Sequence, residues 1–262
     1  MVLIMLVISL RNGQLSTERT LLEPLPLTYG AFLLDDIAYE LNSIIGPQLY
    51  IDQKNTSTEL TIADTLESQN FSSQISAYEA FLVSEVAIQT ASTINTNFTN
   101  LTNGTIRIFI NEEYVYTNDH ATNETLFTKD GGTDATSYEI NFTITAVREN
   151  VTHMAFDENG TLNVTITYTD LNGTEVEEGK VFPNQVNTFK VEYVGGSAMT
   201  IKVGQQSSNF GSLYMNSEDI RAETSWKVTL PPIDPATKKG YEYDATIDYT
   251  QGPFSITRRI GK

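Results

Sequence analysis

Ile140-Asn141-Phe142-Thr143-Ile144-Thr145-Ala146 and Leu162-Asn163-Val164-Thr165-Ile166-Thr167-Tyr168 place an apolar residue at every second position, with Asn or Thr between. Successive side chains of a strand point to opposite faces, so each stretch reads as a strand with one face in a core and one in water. A slip of one residue would bury the whole polar row, which is why this pattern constrains the fold so strongly. Asn141 and Asn163 fall on the polar face, and their hydroxyl partners Thr143 and Thr165 share it.

Those two asparagines open Asn-x-Thr triplets. The chain holds eleven Asn-x-Ser/Thr triplets, at Asn55, Asn70, Asn97, Asn100, Asn103, Asn123, Asn141, Asn150, Asn159, Asn163 and Asn172, none with proline in the middle. With 20 Asn among 262 residues and about one residue in five Ser or Thr, chance predicts about four such acceptors. The plain alternative is the Asn and Thr richness of solvated strands and turns. The outward position of Asn141 and Asn163 favours the acceptor reading, because a glycan needs that face. Most remaining triplets fall in turn-like stretches such as Asn159-Gly160-Thr161 and Asn172-Gly173-Thr174. The expectation is an exported, glycan-bearing β domain rather than an enzyme.

Length allows one large β domain or two smaller ones, and 40% apolar residues suffice for a core. The formal net charge of −17 repels nucleic-acid phosphates and anionic lipid headgroups, so neither is expected as a partner. With no cysteine, disulfides, iron–sulfur clusters, thiol catalysis and thiolate zinc sites are excluded. Many sequons without disulfides fit an archaeal surface protein better than a secreted eukaryotic one.

Met1 to Leu10 is uncharged and almost wholly apolar. It falls short of the roughly 20 residues that span a bilayer, and it lacks the basic start and small-residue cleavage site of a signal peptide. Three readings are open. The run is the remainder of a longer hydrophobic helix that starts upstream of Met1, a short helix packed against sister subunits, or an ordinary buried segment. Val2, Leu3, Ile4, Leu6, Val7 and Ile8 are the residues expected to mediate anchoring or assembly. Arg11-Asn12-Gly13 interrupts the run, and Pro24 and Pro26 break any helix continuing through Leu15 to Leu22.

Leu27 to Ile45 reads as an amphipathic helix, with Leu33, Leu34, Ile37, Leu41, Ile44 and Ile45 on one stripe and Asp35-Asp36 on a solvated face. Ser73 to Ala91 reads as a second helix, with Ser72 or Ser73 as cap. Leu49–Asp52 and Glu59–Ile62 are weak strand candidates. Beyond about Ile94 the pattern predicts strands over 105–110, 114–117, 138–148, 152–156 and 161–169. Further strands are expected over 175–182, 188–194, 198–203, 212–215, 222–230, 241–249 and 254–260. The fold class expected is α+β: N-terminal helical segments followed by a mostly antiparallel β-sandwich-like domain. The divisions expected are 1–24 (apolar helix or anchor), 25–93 (helical, with short strands) and 94–262 (sequon-rich outer domain).

Chemistry-bearing patterns are sparse. His120 and His153 are the only histidines, too few and too far apart for a convincing metal site. No G-x-S-x-G elbow occurs, and Gly131-Gly132 and Gly195-Gly196 lack the lysine of a phosphate loop, so both read as turns. Carboxylate pairs such as Asp234/Glu242 and Glu177/Glu178 carry no specificity in so acidic a chain. No cofactor is expected. Structural calcium is the least remote ion, at the acidic turns 130–134, 157–159 and 170–175. Asp157-Glu158-Asn159-Gly160 and Asp170-Leu171-Asn172-Gly173 are read as hairpin turns. Trp226 and the row Tyr241, Tyr243, Tyr249 are core packing or, if exposed, a sugar-stacking face or subunit interface.

The order of these features (an apolar N-terminal run, helices, then an Asn/Thr-rich, sequon-dense, cysteine-free β region) resembles archaeal type IV pilin-like surface proteins, which include pilins and archaellins. The resemblance implies a hydrophobic N-terminal helix that anchors the precursor and packs with its copies in a filament core, and an outward β domain bearing glycans. Only Met1 to about Leu22 corresponds to that helix. The chain departs from the pattern: no prepilin-peptidase motif precedes the apolar run, the run has about half the expected length, and Arg11 interrupts it. The expected function is therefore a glycosylated, non-enzymatic filament subunit at the cell surface. It would self-associate, or contact lipid, through the N-terminal segment. The alternatives are a membrane-tethered binding module for carbohydrate or cell contact, and, more weakly, a surface hydrolase with His120 or His153 among carboxylates.

Overall fold

A computed structural model describes residues 26–45, 49–64, 69–111, 113–119, 121–218, 220, 222–233 and 239–260. The order of elements is α1 (Pro26–Ile45), β1 (Leu49–Gln53), β2 (Thr58–Asp64), α2 (Gln69–Phe81), β3 (Thr93–Asn97) and α3 (Thr99–Asn103). Then come β4 (Thr105–Ile110), β5 (Tyr114–Asp119), β6 (Glu124–Lys129), β7 (Ser137–Ile144), β8 (Arg148–Thr152), β9 (Leu162–Asp170) and β10 (Gly173–Val181). The chain ends in β11 (Val186–Tyr193), β12 (Ala198–Gln206), β13 (Asn209–Glu218), β14 (Ala222–Leu230), β15 (Lys239–Glu242), β16 (Ala245–Gln251) and β17 (Phe254–Ile260).

The strands form three sheets. A six-stranded sheet runs β1-β2-β14-β7-β9-β10, and an eight-stranded sheet runs β15-β4-β5-β6-β13-β12-β11-β8. A three-stranded sheet runs β17-β16-β3. Pairing is antiparallel except between β7 and β9, which run parallel with Asn141 beside Thr167 and Ser137 beside Asn163.

The two large sheets face each other over an aromatic core. Trp226 of β14 is 1% exposed and meets Phe127 of β6 edge-on, ring centroids 5.4 Å apart. Tyr116 and Tyr138 flank it at 6.0 and 6.4 Å. A second cluster joins Phe142 and Tyr168 of the six-stranded sheet to Phe189 of the eight-stranded one, Tyr168 lying 5.2 Å from Phe189. Such tilted and edge-on contacts add about 0.5–1.5 kcal/mol each beyond the area they bury.

The expected α+β class is corrected: the described residues are mainly β, strand residues outnumbering helical ones more than twofold. Region 25–93 holds α1 and α2 with short strands between them, and those strands are part of a large sheet. Its strands β1 and β2 extend the six-stranded sheet, β2 pairing with β14 from Ala222–Leu230. The strand that follows this region, β3, pairs with β16 near the end of the chain. Hydrogen bonding between residues so distant in sequence outweighs the local helical signal of α1 and α2 in setting the class.

Helix α1 forms as its stripe predicts, with Leu34, Ile37, Leu41 and Ile45 buried and Asp35 exposed. It lies on the three-stranded sheet. A Cβ at Gly30 would stand 2.9 Å from the Tyr249 ring, so glycine permits that approach, and Tyr243 Oη donates to Asn42 Oδ1 at 2.9 Å. Helix α2 starts at Gln69, ahead of the expected Ser72/Ser73 cap, and continues through a π-helical turn at Leu82–Val86.

Three expected strands are revised. The run 138–148 is broken at Thr145–Val147, where the chain leaves the six-stranded sheet and enters the eight-stranded one as β8. There the carbonyls of Ala146 and Val147 accept from Leu171 N and Val194 N. The run 152–156 is not a strand, because β8 ends at Thr152 and the following residues cross back to β9. Asp157–Gly160 therefore lies in a crossing rather than a hairpin, whereas Asp170–Gly173 does turn β9 into β10. The run 241–249 splits between β15 and β16, which belong to different sheets. Strand β6 had no clear apolar alternation, since Thr125 faces inward and Leu126 outward. The Gly195-Gly196 turn does join β11 to β12, with φ of +104° and +89° that L side chains rarely adopt.

Trp226→Ala is expected to cost about 3–5 kcal/mol. Urea unfolding would show this as a lowered midpoint at unchanged slope.

Candidate functional surface

The outer face of the six-stranded sheet is a ladder of mostly polar and charged side chains. Ser225, Asn141, Thr167 and Val176 stand side by side across β14, β7, β9 and β10. Thr229, Ser137, Asn163 and Lys180 form the next such row but one. Asn141 and Asn163 are both exposed, and the strand rise places them about 13 Å apart along the sheet. Neighbours fix one another: Ser137 Oγ donates to Thr229 Oγ1 at 2.9 Å, Thr169 and Thr174 hydroxyls lie 2.9 Å apart, and Lys227 pairs with Glu139 at 3.0 Å.

The other sequon asparagines lie on edge strands, in turns and in helices, Asn70 in α2 and Asn100 and Asn103 in α3. Asn55, Asn97, Asn100, Asn103, Asn150, Asn159 and Asn172 are exposed and Asn123 is half-buried. The side chain of Asn70 lies outside the described residues. Asn100 Nδ2 donates to Asp244 at 3.1 Å and Asn150 Nδ2 to Glu192 at 3.2 Å. Hydrogen bonds from Lys190 and then from Asn150 hold the Glu192 carboxyl below its usual range. Asn163 and Asn172 Nδ2 donate to the carbonyls of Thr136 and Arg148, at 3.2 and 3.4 Å.

One side of the sandwich, where edge strands β8 and β10 approach, is closed by a polar seam that the sequence reading did not single out. Inward positions of β9 run Leu162, Val164, Ile166, Tyr168, Asp170, so the period carries a carboxylate into the interior. The Asp170 side chain has 0% exposure and faces Arg148 Nε at 3.6 Å. Its Oδ1 accepts from Asn172 N at 2.7 Å. Arg148 also pairs with Glu175 and lies 5.3 Å from the centre of the Tyr168 ring. Tyr168 Oη donates to Glu175 Oε2 at 2.5 Å. Farther along, His153 touches Glu177, Met154 N donates to Glu177 at 3.3 Å, and Phe156 covers Gly179. A Cβ at Gly179 would lie 2.3 Å from the Phe156 ring, so only glycine admits that lid residue.

The seam also places the candidate chemistry. Glu175 and Asp170, from the turn considered for calcium, are engaged by Arg148, Tyr168 and backbone N–H. Asp157 Oδ1 likewise accepts from Asn159 N at 2.8 Å. Among the described residues no group of three or more His, Asp and Glu side chains is placed to hold a metal ion. The His153 side chain is 68% exposed, and His120 lies outside the described residues. Trp226, Tyr243 and Tyr249 are buried and Tyr241 half-buried, so the aromatic rows serve the core and do not present a sugar-stacking face. Val2, Leu3, Ile4, Leu6, Val7 and Ile8 lie outside the described residues. No helix among the described residues is long and apolar enough to cross a membrane.

The chain matches no protein-family model, and no curated protein or solved structure proved similar to it.

Removing Arg148 strands the buried Asp170 carboxylate. Arg148→Ala is expected to cost about 3 kcal/mol. Glu175→Gln, at a half-exposed partner, is expected to cost under about 1 kcal/mol. Chemical denaturation of the two variants checks the ordering.

Two seam tyrosines give a pH signature. Burial, and then the Glu175 carboxylate that accepts its proton, hold the Tyr168 phenol above the usual range. Burial, and then the Asp170 charge, push Tyr193 up to about 12. The unfolded chain releases these protons near pH ~10, while the folded chain keeps them, so their contribution is complete below that pH and is lost as pH rises toward the folded values. Stability is expected to hold to about pH 10 and then fall. The part of the tyrosinate absorbance that Tyr168→Phe and Tyr193→Phe remove should rise together with loss of near-ultraviolet circular dichroism, not ahead of it.

Proposed function

We propose that this chain is a non-enzymatic, N-glycosylated structural subunit of an extracellular filament of the archaeal pilin-like kind. The observation that carries the reading is the surface position of the sequons. Of the ten whose side chains are described, nine asparagines are exposed and Asn123 is half-buried. That includes Asn141 and Asn163, on strands whose alternate residues are wholly buried. Glycans on those strands would stand on the outer face of the six-stranded sheet and shield it. The −17 charge keeps such a body soluble and mutually repelling. The cohesive element of the reading is the apolar run Met1–Leu10, acting through Val2, Leu3, Ile4, Leu6, Val7 and Ile8 against like segments or lipid.

The competing reading is a tethered module that uses a strand face or acidic loop for carbohydrate or cell contact, and its aromatic form loses support from the burial of Trp226, Tyr243 and Tyr249. Of the residues considered for stacking, only Tyr241 keeps part of its surface in solvent.

Ile4→Asp and Val7→Asp are expected to abolish incorporation into surface filaments, or retention at the membrane, while the β body stays folded. Fractionation of cells producing each variant, with circular dichroism of the released protein, checks this. Retained assembly of either variant would refute the assembly role of the apolar run.

A further inference from the structure

The acceptor triplets are not equivalent once the chain has folded. N-glycosyl transfer joins Asn Nδ2 to the anomeric carbon of a sugar carried on a polyprenyl pyrophosphate. The new C–N bond forms as the C–O bond to phosphate breaks, the polyprenyl pyrophosphate leaves, and one amide proton passes to a base of the transferring enzyme. The triplet rule means that enzyme reads the hydroxyl two residues on as well as the asparagine. Both side chains and the backbone between them must therefore be reachable.

Asn141 lies on β7 with β14 on one side and β9 on the other, opposite Ser225 and Thr167. Asn163 lies on β9 between β7 and β10, opposite Ser137 and Lys180, and its Nδ2 is tied to Thr136 O. Neither triplet can be lifted from its sheet without opening a central strand. At Asn123 the obstacle is different: Thr125, which completes the triplet, is 4% exposed on the inner side of β6. By contrast Asn55-Thr56 is exposed in the turn between β1 and β2, with Ser57 half-buried. Asn172-Gly173-Thr174 is exposed throughout, and Asn159 and Thr161 are exposed on the crossing from β8 to β9. The reacting Nδ2 groups of Asn159 and Asn172 each make one hydrogen bond, to Asp157 Oδ1 and Arg148 O, the Thr174 hydroxyl, on the edge strand β10, is held only by Thr169, and releasing one such bond slows a reaction by about tenfold at most. Opening a central strand draws on states populated at about one part in a thousand or less.

We propose that the sequons divide by when they can be modified: Asn123, Asn141 and Asn163 accept glycan only before the sheets close, whereas Asn55, Asn159 and Asn172 accept it in the folded protein. The division rests on the glycoprotein reading above and adds an order of events to it. Glycan on the outer face of the six-stranded sheet is then the mark of a chain modified during export, ahead of folding.

The test takes full-length chain made without glycosylation, with its fold checked by near-ultraviolet circular dichroism. It is incubated with a purified Asn-x-Ser/Thr oligosaccharyltransferase and polyprenyl-linked oligosaccharide, and occupancy is followed by glycopeptide mass spectrometry. Synthetic peptides spanning the same triplets run in parallel. The expected result is turnover at Asn55, Asn159 and Asn172 within about tenfold of the peptides, and turnover at Asn123, Asn141 and Asn163 slowed by about a hundredfold or more. Trp226→Ala, which loosens the core, should raise the Asn141 rate and leave the Asn55 rate unchanged. Peptide-like modification of Asn141 or Asn163 in the folded chain would overturn the division, as would turn triplets that resist as strongly as the strand ones. Peptides that are refractory at every triplet would instead overturn the acceptor reading itself, and the division with it.

Discussion

The structure depends on the contact between the inner faces of its two large sheets. With no cysteine in the chain, no covalent bridge relieves the core of its task. The Trp226–Phe127 and Tyr168–Phe189 contacts join strands from opposite sheets, and burial of rings this large supplies much of the driving force for closure. Everything outward follows from that closure. Because Ile140, Phe142, Ile144, Val164, Ile166 and Tyr168 must face the core, Asn141, Thr143, Asn163, Thr165 and Thr167 must face away. The polar ladder on the six-stranded sheet is the other side of the same alternation.

The alternation also has a cost, at Asp170. Carrying the inward register of β9 one step past Tyr168 brings a carboxylate into the interior, and Arg148 at the start of β8 is the charge that answers it. The pair, with Glu175 and Tyr168, sits where the edges of the two sheets meet. Buried ion pairs seldom add net stability, but their loss is costly because the surviving charge has no water. The seam is therefore better understood as fixing how β8 and β10 approach than as a source of stability. Asn150, Asn159 and Asn172 lie along this side: Asn172 is bonded into the seam through Asp170 Oδ1 and the Arg148 carbonyl, and the other two Asn-x-Thr triplets border it.

Much of the β structure was legible in the sequence. The strands around Asn141 and Asn163, the helix carrying Leu34 to Ile45, and the Gly195-Gly196 turn follow from period and turn chemistry alone. The fold class was not legible, because α1 and α2 give strong local signals while the pairing of β2 with β14 and of β3 with β16 leaves none. Strand 138–148 reads as continuous because its alternation continues, yet the chain changes sheet at Ala146 and Val147, whose carbonyls serve other segments. Strand β6 was hidden by an inward threonine. The parallel pairing of β7 with β9 also has no local signature, since both strands alternate alike whatever their direction. The seam had one available signal, an aspartate at an inward position of a period-two run, which demands a cation from elsewhere in the chain.

On the proposed reading, the outer face of the six-stranded sheet is the glycan-bearing exterior of an assembled surface subunit. Glycopeptide mass spectrometry, combined with electron microscopy of native surface material from the source cells, tests it most directly. The expected result is filaments that contain this chain, with glycan on Asn141 and Asn163. A monomeric protein released from the membrane with both asparagines bare would contradict it.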